Sequence, residues 1–108
     1  MSAHEGLDSM MLYKLIITFD ARDGEAGAGQ RFFAQNIAPL AQGHGRVYVG
    51  EIWWTMWGEI PQFLGGIVAE GSADALRELV RTDRWQKLWE EFKSLVDNLS
   101  LKLVQEEV

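Results

Sequence analysis

Val47-Tyr48-Val49-Gly50-Glu51-Ile52-Trp53-Trp54-Thr55-Met56-Trp57 is dense in β-branched and aromatic residues and is apolar on both faces of the pleat. A strand wetted on one side alternates more cleanly, so this one is expected to be covered on both sides. In a chain of 108 residues only one layer of helices is available to cover a sheet. The second cover is therefore expected from another molecule, and the strand points to a homodimer.

Outward from this stretch, the neighbouring segments read as a repeating plan. Residues 10–19 (Met-Met-Leu-Tyr-Lys-Leu-Ile-Ile-Thr-Phe) are strand formers that end at the turn residues Asp20-Ala-Arg-Asp-Gly24. Over residues 25–42, Phe33, Ile37, Leu40 and Ala41 recur at helical spacing, and Pro39 is expected to kink or end that helix before Gly43-His44-Gly45. Residues 46–57 and 62–69 read as antiparallel strands joined at Gly58-Glu-Ile-Pro61. Ser72 suits an N-cap for a helix carrying Leu76, Leu79 and Val80. The apolar series skips a step at Thr82-Asp83 before resuming at Trp85, Leu88, Trp89 and Phe92, so the helix is expected in two offset pieces. Leu99, Leu101 and Leu103 alternate with Ser100, Lys102 and Val104 as a last strand.

The order β-α-β-β-α-β is the ferredoxin-like α+β plan, an antiparallel sheet with both helices on one face. Pleat parity places Tyr13, Leu15, Ile17, Phe19, Ile52, Trp54, Leu101 and Leu103 toward the helices. Lys14, Thr18, Glu51, Trp53, Thr55, Trp57 and Lys102 fall on the other side. That second face, part apolar and part charged, suits a sheet-to-sheet contact between subunits through Glu51, Trp53 and Trp57 that encloses some water. Glu51 then needs a partner such as Lys14 or Lys102, because an unpaired carboxylate in the seam is costly.

Composition narrows the functional classes. No cysteine is present, which excludes disulfides, thiolate catalysis and cysteine-ligated metals and leaves redox compartment undetermined. Sixteen acidic against ten basic residues give a formal charge of −6, which repels nucleic acid and anionic membranes in the absence of a basic cluster. No basic stretch followed by an apolar core opens the chain, and no run reaches a membrane span. The reading is one domain over residues 10–108 after a loose tail at 1–9, soluble and cytoplasmic.

Candidate chemistry is sparse. Gly24-Glu-Ala-Gly-Ala-Gly29 follows a strand and precedes a helix, but its spacing is neither a dinucleotide-binding fingerprint nor a P-loop, and the adjacent acids would repel an anion. His44, the one histidine inside the domain, is a weak candidate for a general base, since imidazole titrates near neutral pH; its glycine neighbours suit a plain exposed turn. Two histidines and no cysteine supply no metal set, and no cofactor is implied. Five tryptophans remain. Trp54, Trp85 and Trp89, with Tyr13, Phe33 and Asn36 opposite, are the candidate lining for a flat apolar or aromatic ligand, against the alternative that they only fill core and dimer seam. Asn36 and Tyr13 would orient a ligand hydroxyl or carbonyl.

Val49-Gly-Glu-Ile-Trp53 running into Gly58-Glu-Ile-Pro-Gln-Phe63, together with the late helix Leu76-Arg-Glu-Leu-Val-Arg-Thr-Asp-Arg-Trp85-Gln-Lys-Leu-Trp89 and its Asp83-Arg-Trp85 step, resembles the dimeric α/β-barrel superfamily. Within it the chain is most similar to NIPSNAP-like and antibiotic-biosynthesis-monooxygenase-like small proteins. The resemblance implies fold and dimerisation. Superfamily members include cofactor-free monooxygenases of aromatic polyketides, haem-degrading enzymes, lactone isomerases and proteins of unknown function, and fold does not select among them. Residues 73–97 contain no histidine where the haem-degrading members place their iron ligand. No catalytic residue carries over from the monooxygenases. The aromatic residues taken with that fold leave two expectations: a homodimer that binds a small apolar or aromatic molecule, with cofactor-free oxygenation or isomerisation as its chemistry if it is an enzyme, or a non-catalytic sensing or assembly module.

Overall fold

A computed structural model describes residues 11–22, 27–59 and 61–106. The expected tail at 1–9 and residues 24–26 of the glycine-rich connection lie outside those residues.

Four strands and three helices are built as expected: β1 (Leu12–Ala21), α1 (Ala28–Phe32, a π-helical turn Phe33–Ile37, and Ala38–Gln42), β2 (Val47–Trp54), β3 (Phe63–Glu70), α2 (Asp74–Arg81), α3 (Asp83–Lys93) and β4 (Val96–Gln105). The sheet is antiparallel in the order β2-β3-β1-β4, which is the ferredoxin-like arrangement. β2 stops at Trp54, short of the expected Trp57. After Thr55, whose N–H donates to Gln62 O at 2.7 Å, the chain bends and Gly58 takes φ +116°, so Met56 and Trp57 sit on a hairpin tip rather than in the ladder.

The register confirms the parity reading. Leu15, Ile17 and Phe19 face Ile67, Gly65 and Phe63 across β3, and Ile52 and Trp54 share that side through Gly65 and Phe63. On this side the core is buried with Phe33, Leu76, Leu79, Trp85 and Phe92 from the helices. Lys14, Thr18, Glu51, Trp53 and Lys102 lie on the other side by the same register. A bulge at Gly50 keeps Glu51 opposite Gly66. A Cβ at Gly50 would lie 2.6 Å from Val68 Cγ2, so only glycine lets β2 approach there.

Pro39 does not end α1. Proline lacks the donor for residue 35 and its ring crowds that carbonyl; the wider π-turn immediately before it takes up the misfit, and the helix runs on to Gln42. The break expected at Thr82 is present. Thr82 is extended (φ −67°, ψ 148°), ends α2, and caps α3 by accepting the Trp85 N–H at 3.1 Å. Ser72 supports α2 by accepting from Asp74 N at 3.1 Å, although the N-cap position itself is Ala73.

Candidate functional site

The inner aromatics form one connected network. Phe19 stacks on Phe63 at 4.4 Å and meets Phe92 edge-on at 5.3 Å. At the start of β3 Phe63 is joined by Phe33 at 5.3 Å and by Trp54, edge-on at 6.3 Å. On the helix side Phe92 touches Trp89 at 5.8 Å, and Trp89 stacks on Trp85 at 5.5 Å with the rings 13° apart. Offset-stacked and edge-on pairs of this kind add about 0.5–1.5 kcal/mol each beyond area burial.

Four of the six candidate ligand residues therefore belong to this network, at its two ends. Trp54 and Phe33 close one end. Trp85 and Trp89 close the other, with Phe63, Phe19 and Phe92 between them. Trp85 and Phe33 are fully buried, Trp89 is half-buried, and Trp54 is 40% exposed. Trp54 is thus where the network opens to solvent. Asn36 is half-buried in the π-turn and donates from Nδ2 to Phe32 O at 3.3 Å. Tyr13 is not brought to Trp54: it pairs with Ala69, at the opposite end of β3 from Phe63, which faces Trp54.

His44 is half-buried in the turn after α1 and donates its backbone N–H to Ala41 O at 3.1 Å. With Arg46 and Glu78 it lines a shallow hollow of about 370 Å³. A neighbouring open groove of about 740 Å³ runs past Arg46, Tyr48, Glu70, Ser72 and Asp74. There the Tyr48 hydroxyl donates to Glu70 Oε2 at 3.4 Å. Its pKa is raised above the ordinary phenol value, chiefly by loss of hydration and then by the Glu70 charge.

On the outer face Lys14 donates to Glu51 in an ion pair between half-buried side chains, the partnership the sequence calls for. The hydrogen bond from Lys14 is the main reason that Glu51 titrates below the ordinary carboxylate range, with the Trp53 indole and the Lys14 charge adding to it. Surface pairs on the helices run Asp74–Arg77 and Glu90–Lys93. Among the described residues no group of three or more His, Cys, Asp or Glu is placed to hold a metal.

A polar clasp went unread in the sequence. Asp20, 7% exposed, accepts the Gln62 N–H on Oδ1 at 2.9 Å and Asn98 Nδ2 on Oδ2 at 2.8 Å. Gln62 returns the contact by accepting Ala21 N–H on Oε1 at 2.7 Å. Arg22 beside it donates to Asp97 at 3.2 Å and to Val96 O at 2.9 Å. Three strand ends are tied there, directly behind Phe19 and Phe63. The only signal was a carboxylate placed immediately after an apolar strand, which reads equally well as a turn.

These features define a ferredoxin-like α+β domain with an aromatic interior and an outer sheet face that no helix among the described residues covers. No protein-family model and no curated protein matches the sequence. Solved structures do match in fold. A conserved protein of Methanosarcina mazei aligns with TM-score 0.71 at 10% identity, over 94% of this chain and 99% of its own. A NIPSNAP family protein of unknown function from Agrobacterium tumefaciens aligns with TM-score 0.63 at 16% identity, over 91% of this chain and 89% of its own. A proposed antibiotic biosynthesis monooxygenase of Caulobacter crescentus aligns with TM-score 0.66 at 13% identity, over 99% and 100%. The chain shares the fold of these NIPSNAP and monooxygenase-like proteins. No helix of the described residues is long and apolar enough to cross a membrane.

Proposed function

We propose that the chain works as a homodimer, sheet face against sheet face, and that each subunit binds a small, largely apolar or aromatic molecule between sheet and helices. The observation that carries the ligand reading is Trp54, 40% exposed on the helix-facing side at the most exposed end of the aromatic row. A flat molecule laid on that indole gains stacking and loses water in one step. The dimer reading rests on the outer face, where Trp53 is 63% exposed beside the Lys14–Glu51 pair and no helix among the described residues covers the sheet. Such a mixed surface suits a wet isologous seam.

If the ligand is a substrate, cofactor-free oxygenation or isomerisation is the fitting chemistry. His44 lines its own hollow, apart from the aromatic row. Catalysis would then come from positioning and drying a molecule that is already reactive. The likeness in fold to a proposed monooxygenase supports this reading without assigning a residue.

A non-catalytic sensing or assembly module is the second reading, favoured by the contacts that Trp85, Trp89 and Phe33 spend on other rings. Native mass spectrometry of the purified full chain, followed by Trp54→Ala and Trp89→Ala, separates the two. Retained small-molecule mass that Trp54→Ala abolishes while leaving assembly intact supports ligand binding. Destabilisation without any retained mass supports the packing role.

A further inference from the structure

The open groove of about 740 Å³ lies where β2 begins and β3 ends, at the far end of that strand pair from Trp54, which stands opposite Phe63. Val47 and Ala69, a buried cross-strand pair, supply its apolar lining. Arg46, Tyr48, Glu70 and the first residues of α2 supply its polar groups. A hollow of this size and mixture suits a small molecule with a short apolar part.

The charged groups of the groove differ in how they are met. Asp74 faces Arg77 at 3.5 Å, and Ser72 accepts the Asp74 N–H at 3.1 Å, so the start of α2 is answered within the chain. Arg46 and Glu70 are both exposed and have no ion pair among the described residues, with each other or elsewhere. The ladder between their strands ends at Val47–Ala69, and Gly45 (φ 72°) and Gly71 (φ 85°) turn the two chains just beyond it. Among the described residues the Glu70 carboxylate meets a neutral donor instead, the Tyr48 hydroxyl, at 3.4 Å.

Charge narrows the occupant. A carboxylate matches the planar fork of the Arg46 guanidinium. An ammonium beside Glu70 gains the carboxylate charge and the ring of Tyr48, 42% exposed, and a carboxylate joined to an aromatic ring is a pairing that holds organic cations. A molecule with one charge meets one friendly group and one hostile group. An anion at Arg46 is repelled by Glu70, and a cation at Glu70 is repelled by Arg46. A molecule with both charges is attracted at both ends. We propose that this groove is a second binding site, for a small zwitterion that carries an ammonium and a carboxylate. Glu70 and Tyr48 take the ammonium, Arg46 takes the carboxylate, and Val47 and Ala69 carry the hydrocarbon between. The site is separate from the aromatic ligand site at Trp54 and does not rest on it.

The test is amide-resolved NMR of the full chain, titrated to millimolar concentration with each standard L-amino acid, γ-aminobutyrate and glycine betaine. The tightest binder is then compared with its decarboxylated and deaminated forms, and with Glu70→Gln and Arg46→Gln, using circular dichroism as the check on folding. A zwitterion is expected to give saturable shifts at the amides of Val47, Tyr48, Glu70 and Ser72. Removing either charge from the ligand, or either charged group from the groove, is expected to weaken binding by about tenfold or more. No saturable shift from any of these probes, or shifts centred on Trp54 in place of the groove, overturns the proposal. So does an amine or acid that binds as tightly as the zwitterion, or a folded variant with the parent's affinity. The ligand series on the parent keeps the test decisive should a variant misfold.

Discussion

Replacing Asp20 by alanine removes the acceptor that ties β1 to β3 and β4. Both carboxylate oxygens are used, at 2.9 Å by the Gln62 N–H and at 2.8 Å by the Asn98 amide, in a side chain 7% exposed. Hydrogen bonds to a charged group contribute about 1.5–3 kcal/mol each, and a donor left unpaired costs about 1–3 kcal/mol more where water cannot reach it. Asn98 is itself exposed and rehydrates easily, so the loss concentrates on the Gln62 N–H. Asp20→Ala should therefore cost about 2–4 kcal/mol, which for a domain of this size lowers Tm by roughly 10–25 °C. Asp20→Asn keeps an oxygen for the Gln62 N–H and should cost about half as much. Urea unfolding at one fixed protein concentration, so that assembly does not enter the comparison, measures both. Equal losses in the two variants, or a loss below about 0.5 kcal/mol for alanine, would show that the clasp does not hold the strand ends together.

Gly29→Ala places a Cβ 2.4 Å from Val96 Cγ1 and 2.7 Å from Phe19 Cε1; overpacking of about 1–3 kcal/mol should outweigh the gain in helix propensity, read as a lowered urea midpoint. Phe92→Ala removes the ring that touches Phe19, Phe32 and Trp89 and should cost about 3–5 kcal/mol, with loss of near-ultraviolet dichroism before helix content falls. Thr82→Ala deletes the side-chain cap on Trp85 N and should cost about 1 kcal/mol, recovered by Thr82→Ser. Glu51 titrates below its ordinary value because Lys14 holds its charged form, so its contribution is present above the unfolded-state pKa and is lost as pH falls through the folded one. The stability gap between the parent and Glu51→Gln should accordingly be open at neutral pH and close below about pH 4.5; a gap unchanged at pH 3 would contradict the pairing.

Much of the fold was legible because its determinants are local and periodic. The alternation from Leu15 to Phe19 fixes which face of β1 is dry, and every inward residue of β2 and β3 follows once the register is known. The slip at Thr82 was visible because an apolar stripe that skips a step cannot stay on one side of a straight helix. What escaped the reading is backbone geometry that propensity does not carry. Spacing predicts a helix to Gln42 that Pro39 kinks or ends, and it does not show the π-turn at Phe33–Ile37 that lets α1 run through the proline. Trp57 fits a strand by propensity, yet lies 93% exposed on a tip because Gly58 turns the chain first.

The candidate site was half legible for the same reason. Spacing places Phe33, Trp85 and Trp89 on inward helix faces, and the network confirms that placement. It does not fix where along the sheet each ring lands. Tyr13 and Trp54 share a face but lie toward opposite ends of their strands, since Tyr13 pairs with Ala69 while Trp54 pairs with Phe63. A ligand on Trp54 would therefore be oriented by groups of the Phe63 end and not by the Tyr13 hydroxyl. That difference can be measured. Tyr13→Phe should leave ligand affinity unchanged while Trp54→Ala removes it, and a loss on both would require the ligand to span the whole length of the sheet.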